Sequence, residues 1–136
     1  MTPIPASEEV TIAYDVSRAT LLAGNESLRD ELARLRVLAD VPQLDPSRTE
    51  DLRAFCRTYC DTLLADQDHK RIHLYPEARA LTSSQDEIGA QIARVRRTAE
   101  LLTGLETTTA DLRQHLDQLS ALLENHLSAE ENHLFP

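Results

Sequence analysis

The chain closes with His126-Leu127-Ser128-Ala129-Glu130-Glu131-Asn132-His133-Leu134-Phe135-Pro136, and sixty residues earlier Asp66-Gln67-Asp68-His69-Lys70-Arg71-Ile72-His73-Leu74-Tyr75-Pro76 runs in the same register. The match extends upstream, where Asp51-Leu52-Arg53 answers Asp111-Leu112-Arg113 and Leu63 answers Leu123. Both segments end in Leu, an aromatic residue and Pro, an apolar staple followed by a helix stop. In the later copy His126, Glu130 and His133 recur at i, i+4 and i+7, the spacing of one helix face. In the earlier copy the same positions hold Asp66, Lys70 and His73.

Upstream of these segments each stripe is apolar. One reads Leu52, Cys56, Tyr59, Leu63 before Asp66, Lys70 and His73; the other reads Leu112, Leu116, Leu119, Leu123 before His126, Glu130 and His133. Two further stripes occur, Leu21, Asn25, Leu28, Leu32, Leu35 and Ile88, Ile92, Val95, Ala99, Leu102. Four stripes at helical spacing predict four helices. The first ends near Leu38 and begins between Ser7 and Ser17, after a Pro-containing arm over about residues 1–16. Val41 to Leu44 connects it to the second, which Asp45-Pro46 caps and which reaches His73. Tyr75-Pro76 kinks or ends that helix, with a short continuation through Ala80. Ser84 with Glu87 reads as a capping box for the third helix, which stops near Gly104, and Thr108 with Asp111 as one for the fourth. Short connections make neighbours antiparallel. The expected architecture is all-α, a single up-down-up-down four-helix bundle over residues 1–136, with polar groups gathered at one end of its core.

Composition agrees. A length of 136 residues suits one core, and 41% apolar content with three glycines favours ordered helix. A formal charge of −9 without a Lys/Arg cluster argues against nucleic acid or an anionic membrane as partner. No apolar run approaches the roughly 18 to 20 residues that span a bilayer, and the start has no basic stretch leading into an apolar one; a cytoplasmic protein is expected. Cys56 and Cys60 lie one helical turn apart, which holds their Cβ atoms about 5 to 6 Å apart, beyond disulfide reach. They read as buried free thiols.

The His126-x-x-x-Glu130 spacing, Glu131 and the Leu134-Phe135-Pro136 ending, with the bundle pattern, make the chain resemble the hemerythrin (HHE cation-binding) family over about residues 17–136. The resemblance implies a four-helix bundle in which each half supplies a His from its first helix and a His-x-x-x-Glu from its second, together holding two iron atoms. Carried over by position, His126 and Glu130 match. Asn25, within Asn25-Glu26-Ser27-Leu28-Arg29, stands where a His is expected; Asp66 stands in a His position and Lys70 in a Glu position. The third helix aligns ambiguously between Gln91 and Val95. The family's diiron ligand set is degraded.

Polar groups in a core must be paired, solvated or ligated, because burying them alone costs several kcal/mol. Two functional classes follow. In the first, the polar end of the core is a pocket for small-molecule binding or metal-independent acid/base catalysis. His126 is then the acid or base, Glu130 orients it, and Lys70 is an electrostatic anchor or an amine nucleophile, with Asp66, Tyr59 and Asn25 lining the pocket. In the second, the chain is a metal-binding regulatory, storage or oxygen- or redox-sensing domain, with an altered non-haem site drawn from His73, His126, Glu130 and His133. Such ligands suit zinc, iron, manganese or nickel. A haem held through His73 or His133 is a lesser alternative, since histidines near helix ends are more often solvated or cap the last carbonyls, and self-association of the chain is a further option. His69, His115 and Glu131 read as surface residues.

Overall fold

The computed structural model describes residues 6–41, 43–73 and 79–134, with side chains over 18–41, 43–72 and 81–134. Its helices are α1 (Ala6–Ala39), α2 (Pro46–His73), α3 (Arg79–Glu100) and α4 (Glu106–Leu134). They pack as an antiparallel bundle in which α1 contacts α2 and α4, and α3 contacts the same two.

Each stripe faces inward along its apolar part. Leu28, Leu32 and Leu35 of α1 meet Leu52, Cys56, Tyr59 and Leu63 of α2, Ile88, Ile92 and Val95 of α3, and Leu112 to Leu123 of α4 in one cluster. Both cysteines are free and fully buried, and burial pushes their thiols up to about 12 for Cys56 and about 11 for Cys60. As inert thiols they serve as packing groups.

The start of α2 follows the sequence expectation. Asp45 Oδ1 accepts the amide of Arg48 at 2.7 Å and the Asp45 carbonyl accepts that of Thr49 at 2.9 Å, with Pro46 in the first turn. Three other boundaries differ. Part of the expected arm is helical, since α1 begins at Ala6. Helix α3 begins at Arg79, so Ala80 belongs to it rather than to a continuation of α2, and Ser84 sits inside the helix instead of capping it. There Ser84 Oγ donates back to Leu81 O at 3.1 Å, the local bond open to a serine within a helix. The expected end at Tyr75-Pro76 lies outside the described residues. Helix α4 begins at Glu106, two residues before the expected cap; Thr108 Oγ1 accepts from Thr103 N and donates to Leu105 O, tying the turn rather than forming a box with Asp111.

At the end of the bundle away from the polar groups the two connections are joined. Gly104 adopts φ +88°, its carbonyl accepts the amide of Leu44 at 3.1 Å, and a Cβ there would lie 2.5 Å from Leu44 O. Only glycine meets both demands. The sixty-residue repeat acquires a structural meaning here. Arg53 of α2 reaches carbonyls in the last turn of α3 and just past it, Nε to Ala99 O at 3.4 Å and Nη2 to Leu102 O at 2.7 Å, and its repeat mate Arg113 of α4 reaches those at and just past the end of α1, Nη1 to Ala39 O and Val41 O at 3.2 and 3.0 Å.

Candidate functional site

The other end of the core carries a buried polar layer. Asn25, Lys70, His126 and Glu130 are each at most 3% exposed. They come from α1, α2 and α4, at the depth where the α2 and α4 stripes turn polar.

Lys70 is the centre. Its Nζ lies 2.6 Å from Asn25 Oδ1, 2.7 Å from Asp66 Oδ2 and 3.1 Å from Glu130 Oε1. An ammonium has three protons to give, and three acceptors take them. Asn25 is oriented by the same logic: its Oδ1 accepts from Lys70, and its Nδ2 donates to Glu130 Oε1 at 2.8 Å and Glu131 Oε2 at 3.0 Å. Lys70 and Glu130 are repeat mates, so the pair bridges the two halves of the sequence. Asp66, with 27% of its side chain exposed, is the layer's contact with solvent.

A rim extends the network. Arg29 Nη1 and Nη2 donate to Glu131 at 3.0 and 3.2 Å, and Arg29 Nε donates to Glu124 at 2.8 Å. These carboxylates hold the guanidinium well above its usual range, and Arg29 in turn holds Glu124 below the ordinary carboxylate value. Glu131, expected on the surface, is therefore drawn into the site. The clue was Arg29 one turn beyond Asn25, on the helix edge that faces α4.

Second to Lys70 in the layer is His126. Ser84 Oγ lies 2.5 Å from His126 Nδ1. Because the Ser84 hydroxyl proton is used on Leu81 O, Nδ1 carries the proton of this bond and donates to Oγ. Nε2 is then the basic nitrogen, 3.6 Å from Glu130 Oε2. That oxygen, fully buried, has no hydrogen-bond partner among the described residues. Burial pushes His126 down to about 4, helped by the Lys70 charge, and pushes Glu130 up against the opposing pull of Lys70 and Asn25. The imidazole is neutral at pH 7, and Glu130 Oε2 faces His126 Nε2 from beyond direct hydrogen-bond distance.

A shallow groove of about 230 Å³ between α3 and α4 leads to this pair. Ser84, Glu87, Asn125 and His126 line it with Leu81, Leu122 and Ala129. Sequence reading missed Ser84 because it took the residue for a cap. Of the two α3 candidates, Val95 packs in the apolar core, and Gln91 turns its amide to His115 O at 2.9 Å. The His115 ring, 3.5 Å from the same amide through Nδ1, is half-buried rather than on the open surface. Neither α3 candidate enters the layer.

The remaining expected site residues are scattered. Tyr59 is buried, and its hydroxyl donates to Leu28 O at 3.0 Å, away from Lys70; burial raises it above the usual phenol range. His133 is exposed near the end of α4, so it does not join His126 and Glu130 in the core as a shared metal ligand. Its position at i+7 carries it past the end of the layer. The side chain of His73 lies outside those described. His69 is exposed, as expected.

The model of the hemerythrin HHE cation-binding domain matches residues 17–136. The chain belongs to that hemerythrin family. Searches of curated proteins and of solved structures each give no match. The family is one of cation-binding bundles, and the four helices accord with it. Among the described residues, however, no group of three or more His, Cys, Asp and Glu is placed to hold a metal ion. The donor chemistry explains why: an ammonium, which has no lone pair to give, occupies the middle of the carboxylates. No helix among the described residues is long and apolar enough to cross a membrane.

Proposed function

We propose that this hemerythrin-like domain works without the family's diiron centre, and that its polar layer serves small-molecule binding or metal-independent acid/base chemistry through His126. One observation carries the reading: Lys70 Nζ sits where a bound cation would neutralise the layer, within 3.1 Å of Asn25, Asp66 and Glu130. The fixed ammonium supplies the charge that metal would otherwise supply. His126 is the working group. Its Nδ1 meets Ser84 at the α3–α4 groove and its Nε2 faces Glu130, so a proton held by the buried pair communicates with a hydrogen-bonding group of a ligand in the groove. The groove's small volume, with Leu81, Leu122 and Ala129 beside Ser84, Glu87, Asn125 and His126, suits a compact ligand that is part apolar and part hydrogen-bonding.

The test combines metal titration with thermal melts of the full chain. Calorimetric titration with iron(II), manganese(II) and zinc(II) under anaerobic conditions is expected to show no binding of two ions per chain, and chelator is expected to leave the melting temperature unchanged. Two tightly bound irons, or unfolding by chelator, overturn the reading.

A second reading has its own support in Glu130 Oε2. That unpartnered oxygen beside His126 Nε2, with Ser84 holding the far side of the imidazole, has the arrangement of a carboxylate and a histidine sharing a single non-haem cation. One ion per chain in the same titration, abolished by His126→Gln, selects it.

A further inference from the structure

The α1–α2 face carries an apolar seam that the polar layer does not explain. Phe55 is 55% exposed, Val37 72% and Leu38 42%. Two adjoining grooves of about 370 and 310 Å³ run along the seam, and Leu38 and Phe55 line both. Phe55 is the repeat mate of His115, so one half of the bundle has an apolar ring where the other has an imidazole. A contiguous exposed apolar strip of this kind marks a contact surface.

The charges along the seam identify the occupant. Beyond Leu38 and Phe55 one groove ends at Glu31 and Arg34 of α1, the other at Arg48 and Asp51 of α2. Glu31 is seven residues from Leu38 and Arg48 seven from Phe55, about 10 Å in each case; Arg34 and Asp51 are each four away, about 6 Å. The two ends are therefore equidistant from the centre and opposite in sign, pair by pair. A two-fold axis lying in this face and running obliquely across the seam at Leu38 and Phe55 brings the α1 end of one copy onto the α2 end of another. Glu31 then meets Arg48, Arg34 meets Asp51, and the two Phe55 rings enter the facing grooves. Among the described residues Glu31, Arg34 and Asp51 have no ion pair within the chain, and Arg48 holds only Asp45, at 3.8 Å.

We propose that this seam is the isologous interface of a homodimer, closed by burial of Phe55, Leu38 and Val37 and set in register by the Glu31–Arg48 and Arg34–Asp51 pairs of the two copies. A self-complementary patch is what two-fold association requires, since every contact occurs twice. Rim charges of this kind fix register more than they add affinity, and apolar anchors at the centre supply most of the binding.

Sedimentation velocity of the full chain across a concentration series tests the proposal, with circular dichroism to follow folding. The parent is expected to be dimeric at tens of micromolar and Phe55→Glu monomeric, with helicity and melting of the monomer retained because residue 55 lies outside the core. Arg34→Glu is expected to weaken the dimer roughly tenfold by setting like charges against each other. Adding Asp51→Arg restores the opposite signs and is expected to recover the parent's affinity. Three results overturn the proposal: a parent that stays monomeric throughout, a dimer indifferent to Phe55→Glu, or a double charge swap as weak as the single one. If Phe55→Glu fails to fold, the Arg34→Glu and Asp51→Arg pair decides alone.

Discussion

At the scale of single residues the layer depends on Lys70, and the consequence is measurable. Removing its ammonium strands Glu130 and the Asn25 carbonyl in the buried layer and takes the counter-charge from Asp66 at its solvent edge. A buried ion pair adds little net stability, but removing one partner costs about 3 to 5 kcal/mol because the other charge is left without compensation. Lys70→Met keeps most of the volume and is expected to destabilise the protein on that scale in urea or thermal melts. Pairing it with Glu130→Leu removes both charges and is expected to recover much of the loss. A Lys70→Met protein as stable as the parent would show that the layer has another source of positive charge. Asn25 gives a subtler contrast: as the residue that accepts from Lys70 and donates to both Glu130 and Glu131, it cannot be replaced by Asp without setting a fourth carboxylate among three.

At the scale of elements, Arg53 and Arg113 do for helix ends what Lys70 does for the core. Each crosses from the helix that carries it to carbonyls at and just past the end of another helix, where a cation opposes the negative end of the helix dipole. Charged hydrogen bonds to such carbonyls contribute about 1.5 to 3 kcal/mol, so Arg53→Met and Arg113→Met are each expected to lower stability by that order in denaturant melts. The two sites cap different helices, and their effects should add. Near-zero cost for both would mean that solvent caps these ends equally well. The sequence announced this pair only as a repeat match. Periodicity made the inward faces legible, and Asp66, Lys70, His126 and Glu130 are expected to meet because polar residues at one depth of two core stripes have to find one another; Asn25 enters the sequence reading only as a pocket residue. Local capping patterns were less informative, since a Ser three residues before a Glu also arises inside a helix; Ser84 satisfied the pattern while its hydroxyl turned to Leu81 O and His126. His133 kept the right spacing but ran past the layer, because a stripe says which face a residue shares and not where the core ends. The Arg53 and Arg113 targets lie on other helices, beyond the reach of any local pattern.

At the scale of the whole molecule, stability as a function of pH reports on the layer's proton. His126 has a folded value of about 4, below the ordinary 6.5, because burial and Lys70 disfavour its charged form. Between those values the unfolded chain binds the proton and the folded chain does not, so stability contributed by the neutral imidazole is present above about pH 6.5 and is lost as pH falls toward 4. At 1.36 kcal/mol per unit the full loss is on the order of 3 kcal/mol. Glu130 works in the opposite direction: its folded value is raised, so its proton favours the folded state at low pH, and that advantage disappears as pH rises through the raised value. The exposed Glu100 and Glu124, held low by Arg57 and Arg29, lose their small contributions only as pH falls below the ordinary carboxylate range. The interval from about 6.5 down to 4.5 therefore isolates the buried pair. Urea melts across it are expected to show the parent losing stability as pH falls, with a slope reduced from the single-histidine value by Glu130. His126→Gln removes the falling component and leaves the rising one, so this variant is expected to hold or gain stability over the same interval. A parent and variant with identical slopes would mean that His126 titrates normally in the folded protein, and that the Ser84–His126–Glu130 line does not hold its proton in the buried layer.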